Sequence, residues 1–288
     1  MPEPFAAYVA GFEDLLSSGH GLHASVARAP KLPALTRDAP VCLMFSPHPD
    51  DEAISGALPW RLRAQSGWRV VNIAVTLGSN TQRRDARWSE LCACCAFLGF
   101  DPVSASGETH HGLERISRMT QQTDRPHWGN CVARVAALIA LYRPRLIVFP
   151  HADDGHAVHI GTHLLVKDAL LRLGPDLQVY LALSEYWNTQ SDPGLMVELG
   201  NSDVAALIGA LSQHVGEVRR NPYHLSLPAW FIDSVRRGAE RVRPPGSPAP
   251  EFRFASLYGW ERWTGAIGQP MGGQLLPVGA SLADLFVR

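Results

Sequence analysis

Apolar runs of strand length alternate with helix-like segments along most of this chain. Residues 41–46 (VCLMFS) and 145–150 (RLIVFP) are nearly continuous apolar runs, which are typical of strands buried on both faces of a parallel sheet. Further strands are predicted at 68–78, 101–106 and 177–183, and helices at 52–66, 82–98, 127–142 and 157–173. This alternation predicts an α/β fold with a Rossmann-like, doubly wound, mostly parallel sheet.

The two ends of the chain follow the alternation less closely. We expect residues 1–39 to form a short amphipathic helix (4–18) and then a loop rich in Pro, His and Ala. We expect residues 40–288 to form a single domain whose last part, roughly 190–288, is a helical and irregular cap. The elements predicted in that cap are helices near 202–218 and 229–242 and a loop at 243–252. A separate C-terminal domain is the alternative.

The charge balance limits the classes of partner. The chain has 26 Lys and Arg against 27 Asp and Glu, a formal net charge of −1. This balance argues against a protein that binds nucleic acid or an anionic membrane through a strong basic field. No apolar run approaches the ~20 residues that span a bilayer, and the N-terminus lacks the basic segment of a signal peptide. We therefore expect no nucleic-acid partner and no membrane anchor.

The cysteines indicate a cytoplasmic protein. The chain has five cysteines, an odd number without the spacing of a secreted disulfide scaffold, which predicts reduced thiols. Cys92 and Cys95 form a CxxC sequence, but it lies in the apolar, helix-like run ELCACCAFLGF. Core packing is therefore favoured over a redox or zinc role for this pair.

The turn after the first predicted strand carries the sequence SPHPDDE at residues 46–52. In open α/β sheets, ligands bind beyond the carboxyl ends of the strands, and a dinucleotide site would show GxGxxG here. A neutral imidazole such as His48 and a carboxylate such as Asp51 are good zinc ligands, and the neighbouring carboxylate of Asp50 can act as a general base. The two prolines stiffen the turn and preorganise the ligands. An acidic first turn of the next helix would also explain Asp51 and Glu52, but it leaves His48 and the prolines unexplained.

A second cluster follows the apolar run at 145–150. Four of the twelve histidines fall within the thirteen residues 151–163, namely His151, His156, His159 and His163. On a helix, spacings of three and four residues place His156, His159 and His163 on one face. Both clusters follow predicted parallel strands, so they lie at the same edge of the sheet. We therefore expect at least one of these histidines to be a metal ligand.

These motifs resemble a known family. PHPDDE after the first strand and a later HxxH after a buried strand are similar to the PIG-L/LmbE family of zinc-dependent N-deacetylases. The resemblance covers roughly residues 40–185, and the segment that begins at Arg87 (RWSEL) is similar to the family's Arg-containing helix start. Members of the family remove acetyl groups from N-acetylglucosamine in lipid, thiol-conjugate and antibiotic precursors. The resemblance implies an LmbE-like fold and the same class of reaction.

The resemblance also implies residue roles. His48, Asp51 and His159 would hold the zinc ion and leave a position open for water. Asp50 would be the general base that deprotonates this water. His156 would be the cationic partner that stabilises the oxyanion or protonates the leaving amine.

One departure from the family's pattern concerns support of the zinc ligand. The family usually has His-Pro-Asp-His where this chain has HAVH at 156–159, so the Asp that supports a ligand histidine is missing. Asp153 or Asp154 is expected to replace it, and the sequence does not choose between them. Glu52 is expected to support the site or cap a helix, and not to bind the metal.

Substrate contacts are less constrained by the sequence. The candidates are Arg87 at the helix start, Ser55 after the PHPDDE motif, and Trp187 after the last predicted strand. Five other histidines are expected to have no specific role: His20, His23, His127, His214 and His224. The predicted function is hydrolysis of an N-acetyl group on an N-acetylglucosamine-type conjugate or natural-product intermediate. The alternatives are a zinc amidase for another amide, such as a thiol conjugate, and a non-catalytic metal-binding regulatory module.

Overall fold

The computed structural model describes residues 3–286. The strands within them are β1 (Val41–Ser46), β2 (Arg69–Ala74), β3 (Asp101–Ser104), β4 (Leu146–Pro150), β5 (Gln178–Ser184), β6 (Leu195–Leu199), β7 (Phe254–Thr264), β8 (Gly268–Pro270) and β9 (Gln274–Leu276). The helices are α1 (Pro4–Gly19), α2 (Asp51–Ile54), α3 (Ala57–Ser66), α4 (Arg84–Leu98), α5 (Arg118–Thr123), α6 (Arg125–Tyr142), α7 (Ala157–Leu173), α8 (Asn201–Leu211), α9 (Val215–Arg220) and α10 (Tyr223–Gly238). The strands form one sheet in the order β3-β2-β1-β4-β5-β7-β6-β9, and β8 pairs with β7.

The first five strands are parallel and confirm the predicted α/β class. β2 and β4 flank β1, so that Met44 aligns with Asn72 on one side and with Val148 on the other. The chain proceeds outwards from β1 to β3 in one direction and from β4 to β5 in the other. Ligand sites in such sheets lie beyond the carboxyl ends of the strands where the order reverses. The segments that follow β1 and β4 meet at this position.

Alternate residues of the central strand β1 enter two separate cores. Cys42 and Met44 pack in the core that contains α3, α4 and α8, whereas Leu43 and Phe45 pack in the core that contains α6 and α7. This division follows from the two-residue period of a strand. Because both faces of the sheet are covered, the strand sequence is apolar throughout, and the turn after β1 starts from a rigid platform.

The predicted helix at 52–66 is broken into α2 and α3. A Cβ atom at Gly56 would lie 2.1 Å from the carbonyl oxygen of Glu52, so the tight bend between the two helices requires glycine. The break leaves α2 as a single turn at the sheet edge. Asp51 and Glu52 are both buried in that turn.

The C-terminal part adds strands that the sequence does not predict. α8 and α9 correspond to the helix expected near 202–218 and α10 to the one near 229–242, but β7 pairs antiparallel with both β5 and β6. Trp260 and Trp263 of β7 are almost fully buried. Gly259 and Glu261 interrupt the apolar run of β7, so the sequence shows neither a continuous run nor a clean alternation there. The last hundred residues therefore extend the sheet as well as covering it.

The N-terminal helix is present as predicted, and its apolar side chains are exposed. The exposed large hydrophobic residues of α1 are Phe5, Tyr8, Val9, Phe12, Leu15 and Leu16. No helix within residues 3–286 is long and apolar enough to cross a membrane.

The cysteine-rich stretch of α4 lies against the core. Cys94 and Cys95 are fully buried, Cys92 is half-buried, and all are free thiols. Burial raises the pKa of Cys94 and of Cys95 well above the ordinary thiol value, and Glu52 raises both further. A neutral, buried thiol is a poor nucleophile, which agrees with a packing role.

Candidate functional site

The turn after β1 holds Asp50 in an unusual backbone conformation. Asp50 has a φ of 116°, which is rare for a residue other than glycine. Its N–H donates to Glu52 Oε2 at 3.0 Å, and its carbonyl oxygen accepts from the N–H groups of Ala53 and Ile54 at 3.0 and 3.1 Å. Such conformations cost roughly 1–3 kcal/mol and cluster at active sites, where the surrounding contacts maintain them.

Three donor atoms meet where the turns after β1 and β4 converge. His48 Nδ1 lies 3.2 Å from His159 Nε2 and 3.5 Å from Asp51 Oδ2. His159 Nε2 and Asp51 Oδ2 are 3.4 Å apart. Ligands at 2.0–2.1 Å from a tetrahedral zinc ion are separated by about 3.3 Å. The nearly equilateral triangle therefore fits an ion of this size and leaves the fourth tetrahedral position open.

The charges of this triangle suit a cation. Burial raises the pKa of Asp51, but His159 and the hydrogen bonds from His48 lower it by more, so the carboxyl stays ionised. One of these bonds is donated by the backbone N–H of His48 to Asp51 Oδ2 at 2.8 Å. Burial lowers the pKa of His159, whereas Asp51 and Asp154 raise it, and the net shift is upwards. Protons should therefore compete with a metal ion for His159 more strongly than for an ordinary histidine.

Asp154 supports His159 from behind. Its Oδ1 lies 3.0 Å from His159 Nδ1, and neither atom has a hydrogen-bond partner elsewhere among the described residues. Asp154 Oδ2 accepts from the backbone N–H groups of Tyr186 and Trp187 at 3.1 and 3.3 Å. Asp154 is fully buried and Asp153 is exposed. Asp154 is thus the acid in position to replace the one that HAVH lacks.

His156 stands beside the triangle. It precedes α7, and its Nδ1 accepts from Val158 N–H at 3.3 Å, which makes Nε2 the protonated nitrogen of the neutral ring. The ring meets His48 edge-on, with centroids 4.9 Å apart, and stacks on Trp187 at 5.6 Å. Burial, His48 and His159 lower the pKa of His156. A nitrogen of His156 lies within 4.8 Å of ligand nitrogens of His48 and His159, so these three histidines are a second possible donor set. The set of His48, Asp51 and His159 is more compact and contains an anion, which suits a cation better.

Asp50 has the environment of a general base. It is buried at the floor of the cavity. Burial and Asp51 raise the pKa of Asp50 well above the ordinary carboxyl value, Arg87 lowers it, and Glu52 and Glu217 raise it further. A carboxylate with a raised pKa accepts a proton more readily than an exposed one.

The cavity above these residues has a volume of about 950 Å³ and contains two of the three predicted substrate contacts. Arg87 donates to the carbonyl oxygen of Pro49 at 3.1 Å and packs across Gly78, where a Cβ atom would lie 2.3 Å from its guanidinium. Trp187 lines the cavity and is 52% exposed. Ser55 is not among the lining residues, because it is buried at the end of α2, where its carbonyl oxygen accepts from Tyr258 at 2.7 Å.

Residues from the C-terminal part complete the cavity. Glu217 and Arg220 of α9 and Tyr223 of α10 line it, together with Tyr186 after β5. Arg220 donates to Glu217. The sequence gives no local indication of these positions, because charged residues on a short helix have the pattern of any solvent-facing surface.

His214 also departs from expectation. It was predicted to have no specific role, yet it is buried, and its Nε2 donates to Glu52 Oε1 at 2.6 Å. Glu52 is thus held between His214 and the N–H of Asp50. The expectation for Glu52 was support of the site or a helix cap, and its two contacts are of the supporting kind.

Comparisons with known proteins place this geometry in a family context. Residues 43–170 match the family model PIG-L, described as GlcNAc-PI de-N-acetylase. The matched segment contains His48, Asp50, Asp51, His156 and His159. No curated protein sequence matches the chain significantly.

Solved structures share the fold. One is the zinc-inhibited form of the teicoplanin deacetylase Orf2, with 16% identity, 77% of this chain and 98% of that chain covered, and a TM-score of 0.55. Another is the N,N'-diacetylchitobiose deacetylase from Pyrococcus horikoshii, with 13% identity, 92% and 94% covered, and a TM-score of 0.50. A third is the 4-carboxy-2-hydroxymuconate hydratase GalB from Pseudomonas putida, with 15% identity, 77% and 95% covered, and a TM-score of 0.55. At these identities the likeness establishes the fold alone, and the hydratase demonstrates that this fold also serves another reaction.

Proposed function

Because this chain contains a PIG-L family domain at residues 43–170, we propose that it is a zinc-dependent hydrolase that removes an N-acetyl group from an amino-sugar conjugate. The products would be acetate and a free amine. The observation that carries this proposal is the triangle of His48, Asp51 and His159 beside the buried carboxylate of Asp50, at the floor of a cavity.

The three residues of the triangle would hold the zinc ion. Two imidazole nitrogens and one carboxylate oxygen are a set that catalytic zinc sites use, and the donor spacing agrees with zinc–ligand distances. A bound zinc ion supplies a Lewis acid that polarises the amide carbonyl and lowers the pKa of a water molecule towards about 7.

Asp50 is the proposed base. It lies next to Asp51 in the chain and faces the cavity, so it can accept a proton from water that attacks the amide carbon. Its raised pKa brings its proton affinity closer to that of the water it must deprotonate. Arg87 opposes this rise in the pKa of Asp50 and thereby favours the ionised carboxylate.

His156 is the proposed hydrogen-bond donor to the oxyanion. The resemblance implies a cationic partner, but burial and two neighbouring histidines lower its pKa, which favours the neutral ring. With Nδ1 turned to Val158, Nε2–H of the neutral ring can donate a hydrogen bond to the developing oxyanion. The proton that Asp50 takes from water can then pass to the departing amine.

An amino-sugar conjugate is the substrate class that the cavity supports best. Its volume of about 950 Å³ exceeds what one sugar ring fills, which leaves room for a second group. Tyr186 and Trp187 offer aromatic faces for a sugar ring, and Arg87 offers hydrogen-bond donors for its hydroxyl groups.

Free cysteines support a cytoplasmic location, since reduced thiols persist there.

Acetate release tests the proposal. Zinc-loaded protein is incubated with N-acetylglucosaminides that carry aromatic or aliphatic aglycones, and with N-acetyl thiol conjugates that lack the sugar. We expect acetate and amine in equal amounts from the sugar compounds. Preference for the sugar-free amides would favour the alternative amidase, and one bound zinc ion without turnover of any amide would favour a metal-binding module.

Two variants test the assigned roles. Asp50→Ala should lower turnover by about 10²–10⁴-fold and keep one zinc ion, because it removes the base and no ligand. His159→Ala should lose the zinc ion, because it removes one corner of the triangle. Loss of zinc from Asp50→Ala to the same extent as from His159→Ala would contradict the division of labour.

A further inference from the structure

A buried glutamate–histidine pair lies directly behind Asp50. Glu52 Oε1 and His214 Nε2 are 2.6 Å apart, and the side chains are 0% and 1% exposed. Glu52 comes from the single turn α2, whereas His214 lies between α8 and α9, 162 residues further along the chain. His214 lies outside the matched family segment of residues 43–170.

The pair is a direct hydrogen bond and not a second metal site. Glu52, Cys94 and His214 together offer three donor atoms within 4.8 Å of one another. Two ligands of a tetrahedral zinc ion are about 3.3 Å apart, however, and a separation of 2.6 Å is typical of a short, charge-assisted hydrogen bond. The thiol of Cys94, whose pKa burial and Glu52 raise, stays neutral beside them.

The pair acts on the backbone of Asp50. The second oxygen of Glu52, Oε2, accepts from the N–H of Asp50 at 3.0 Å, and Asp50 is the residue with the φ of 116°. Without that acceptor, the N–H of Asp50 would be buried and unpaired, and the strained backbone would lose a contact that maintains it. The direction of the Asp50 side chain depends on this conformation.

His214 limits the movement of Glu52. A glutamate side chain has three rotatable bonds, so a buried Glu52 can hold the N–H of Asp50 in one place only if its other oxygen is fixed. His214 is itself fixed, because its N–H donates to Leu211 and its carbonyl oxygen accepts from Glu217 and Val218 in α9. The chain of contacts therefore runs from the C-terminal helices to the backbone of Asp50.

We propose that Glu52 and His214 are positioning residues that hold Asp50 in its proton-accepting orientation. The proposal rests on the assignment of Asp50 as the base. Neither residue belongs to the donor triangle, so the pair should govern the turnover step without changing metal content or substrate affinity. Loss of comparable supporting contacts lowers activity by about 10–100-fold in metalloenzymes.

A pair of nearly isosteric substitutions isolates the hydrogen bond. His214→Gln keeps an N–H donor towards Glu52, whereas His214→Met has a similar length and no donor. We expect kcat of His214→Met to fall by about 10–100-fold. KM and zinc content should match those of the unmodified protein, and His214→Gln should recover most of the loss. The assay follows amine release from p-nitrophenyl N-acetyl-β-glucosaminide.

Two further measurements separate positioning from general support. In the Asp50→Ala background, His214→Met should cause no additional loss, because the group through which it acts is already gone. His224→Met is a matched control, since His224 is another buried histidine, 2.9 Å from the carbonyl oxygen of Leu22 and away from Asp50. It should lower the melting temperature without changing kcat. If His214→Met does not fold, Gln and Met are compared at Glu52 instead.

Several outcomes would overturn the proposal. Equal kcat values for His214→Met and His214→Gln would mean that the hydrogen bond to Glu52 does not affect turnover. A full multiplicative loss in the Asp50→Ala background, or a loss of zinc, would assign the pair a merely structural role. If Asp50→Ala itself keeps its turnover, the proposed base is wrong. If Asp50→Ala loses turnover and His214→Met does not, only the positioning role is wrong.

Discussion

Replacement of Asp154 by Asn should weaken metal binding more than its small change in volume suggests. In the unmodified protein, the carboxylate faces Nδ1 of His159 at 3.0 Å and thereby holds the proton on that nitrogen. His159 Nε2, on the opposite side of the ring, is then unprotonated and free to bind the ion. The Asp154 carboxylate thus selects the tautomer that the triangle requires.

Asparagine reverses this selection. Its Oδ1 can still accept from the N–H groups of Tyr186 and Trp187, which Asp154 Oδ2 now holds at 3.1 and 3.3 Å. Its amide N–H₂ would then face His159 Nδ1 and favour the tautomer with the proton on Nε2, the metal-binding atom. To bind a metal ion through Nε2, His159 would have to carry its proton on Nδ1. This N–H group would then face the N–H₂ group of the asparagine, with no acceptor between the two donors.

The expected cost follows from these contacts. Loss of a carboxylate behind a ligand histidine weakens metal affinity by about 10–100-fold, which is about 1.4–2.7 kcal/mol. We expect Asp154→Asn to lie at the upper end of this range. Asp154→Ala should lie nearer the lower end, because it removes the support without imposing the wrong tautomer. Asp154→Ala should, however, destabilise the segment at residues 186–187 more than Asp154→Asn does.

Zinc affinity is measured by competition with a chromophoric chelator, and stability by the melting temperature of the metal-free protein. Asp153→Asn is the matched control, since Asp153 is its exposed neighbour and should leave the zinc affinity unchanged. An Asp154→Asn variant with unchanged affinity would refute the tautomer argument. An equal loss in Asp153→Asn would mean that net charge, and not the contact with His159, sets the affinity.

The same site gives three further predictions. The first concerns the acid limb of the kcat/KM profile, where activity is lost as the pH falls through the pKa of Asp50. Because burial and Asp51 raise this pKa, the limb should lie well above the ordinary aspartate pKa of about 3.9. A limb near 3.9 would contradict the assignment of Asp50 as the base. The second is that mild acidification releases zinc in equilibrium dialysis. The pKa of His159 is shifted upwards, so protons compete with zinc for this residue at a higher pH than they would for an ordinary histidine. Retention of zinc at pH 4 would argue against His159 as a ligand. The third is that Trp187→Ala raises KM about tenfold and Ser55→Ala does not, because Trp187 lines the cavity and Ser55 does not. Equal KM values for the two variants would mean that Trp187 does not stack on the substrate.

The donor triangle was foreseeable because it depends on topology. Two apolar runs predict neighbouring parallel strands, and the carboxyl ends of such strands meet at one edge, so His48, Asp51 and His159 converge whatever the details of the turns. The choice between Asp153 and Asp154 depends on the turn itself. That turn contains Gly155 at a φ of 95°, and periodicity does not report such a local conformation.

Ser55 and His214 reveal a second limit of sequence patterns. Ser55 was expected at the cavity because it follows the motif closely, but the bend at Gly56 buries it under Tyr258. His214 stands alone in its segment, so no local pattern predicts a role for it. Its partner Glu52 is 162 residues away, and only the packing of α8 and α9 against α2 and α4 brings the two together.

The separation of these residues along the chain suggests where specificity is set. The proposed metal donors and the proposed base lie between His48 and His159, within the matched family segment. The far wall of the cavity comes from α9 and α10, which carry Glu217, Arg220 and Tyr223. Of these two helices, α9 is linked to Asp50 through His214 and Glu52. A change in α9 therefore affects both substrate fit and the orientation of the base. We expect Arg220→Ala to raise KM and Glu217→Gln to lower kcat as well, because the carboxylate of Glu217 contributes to the raised pKa of Asp50. Steady-state kinetics on both variants measures this division, and identical changes in kcat for the two would contradict it.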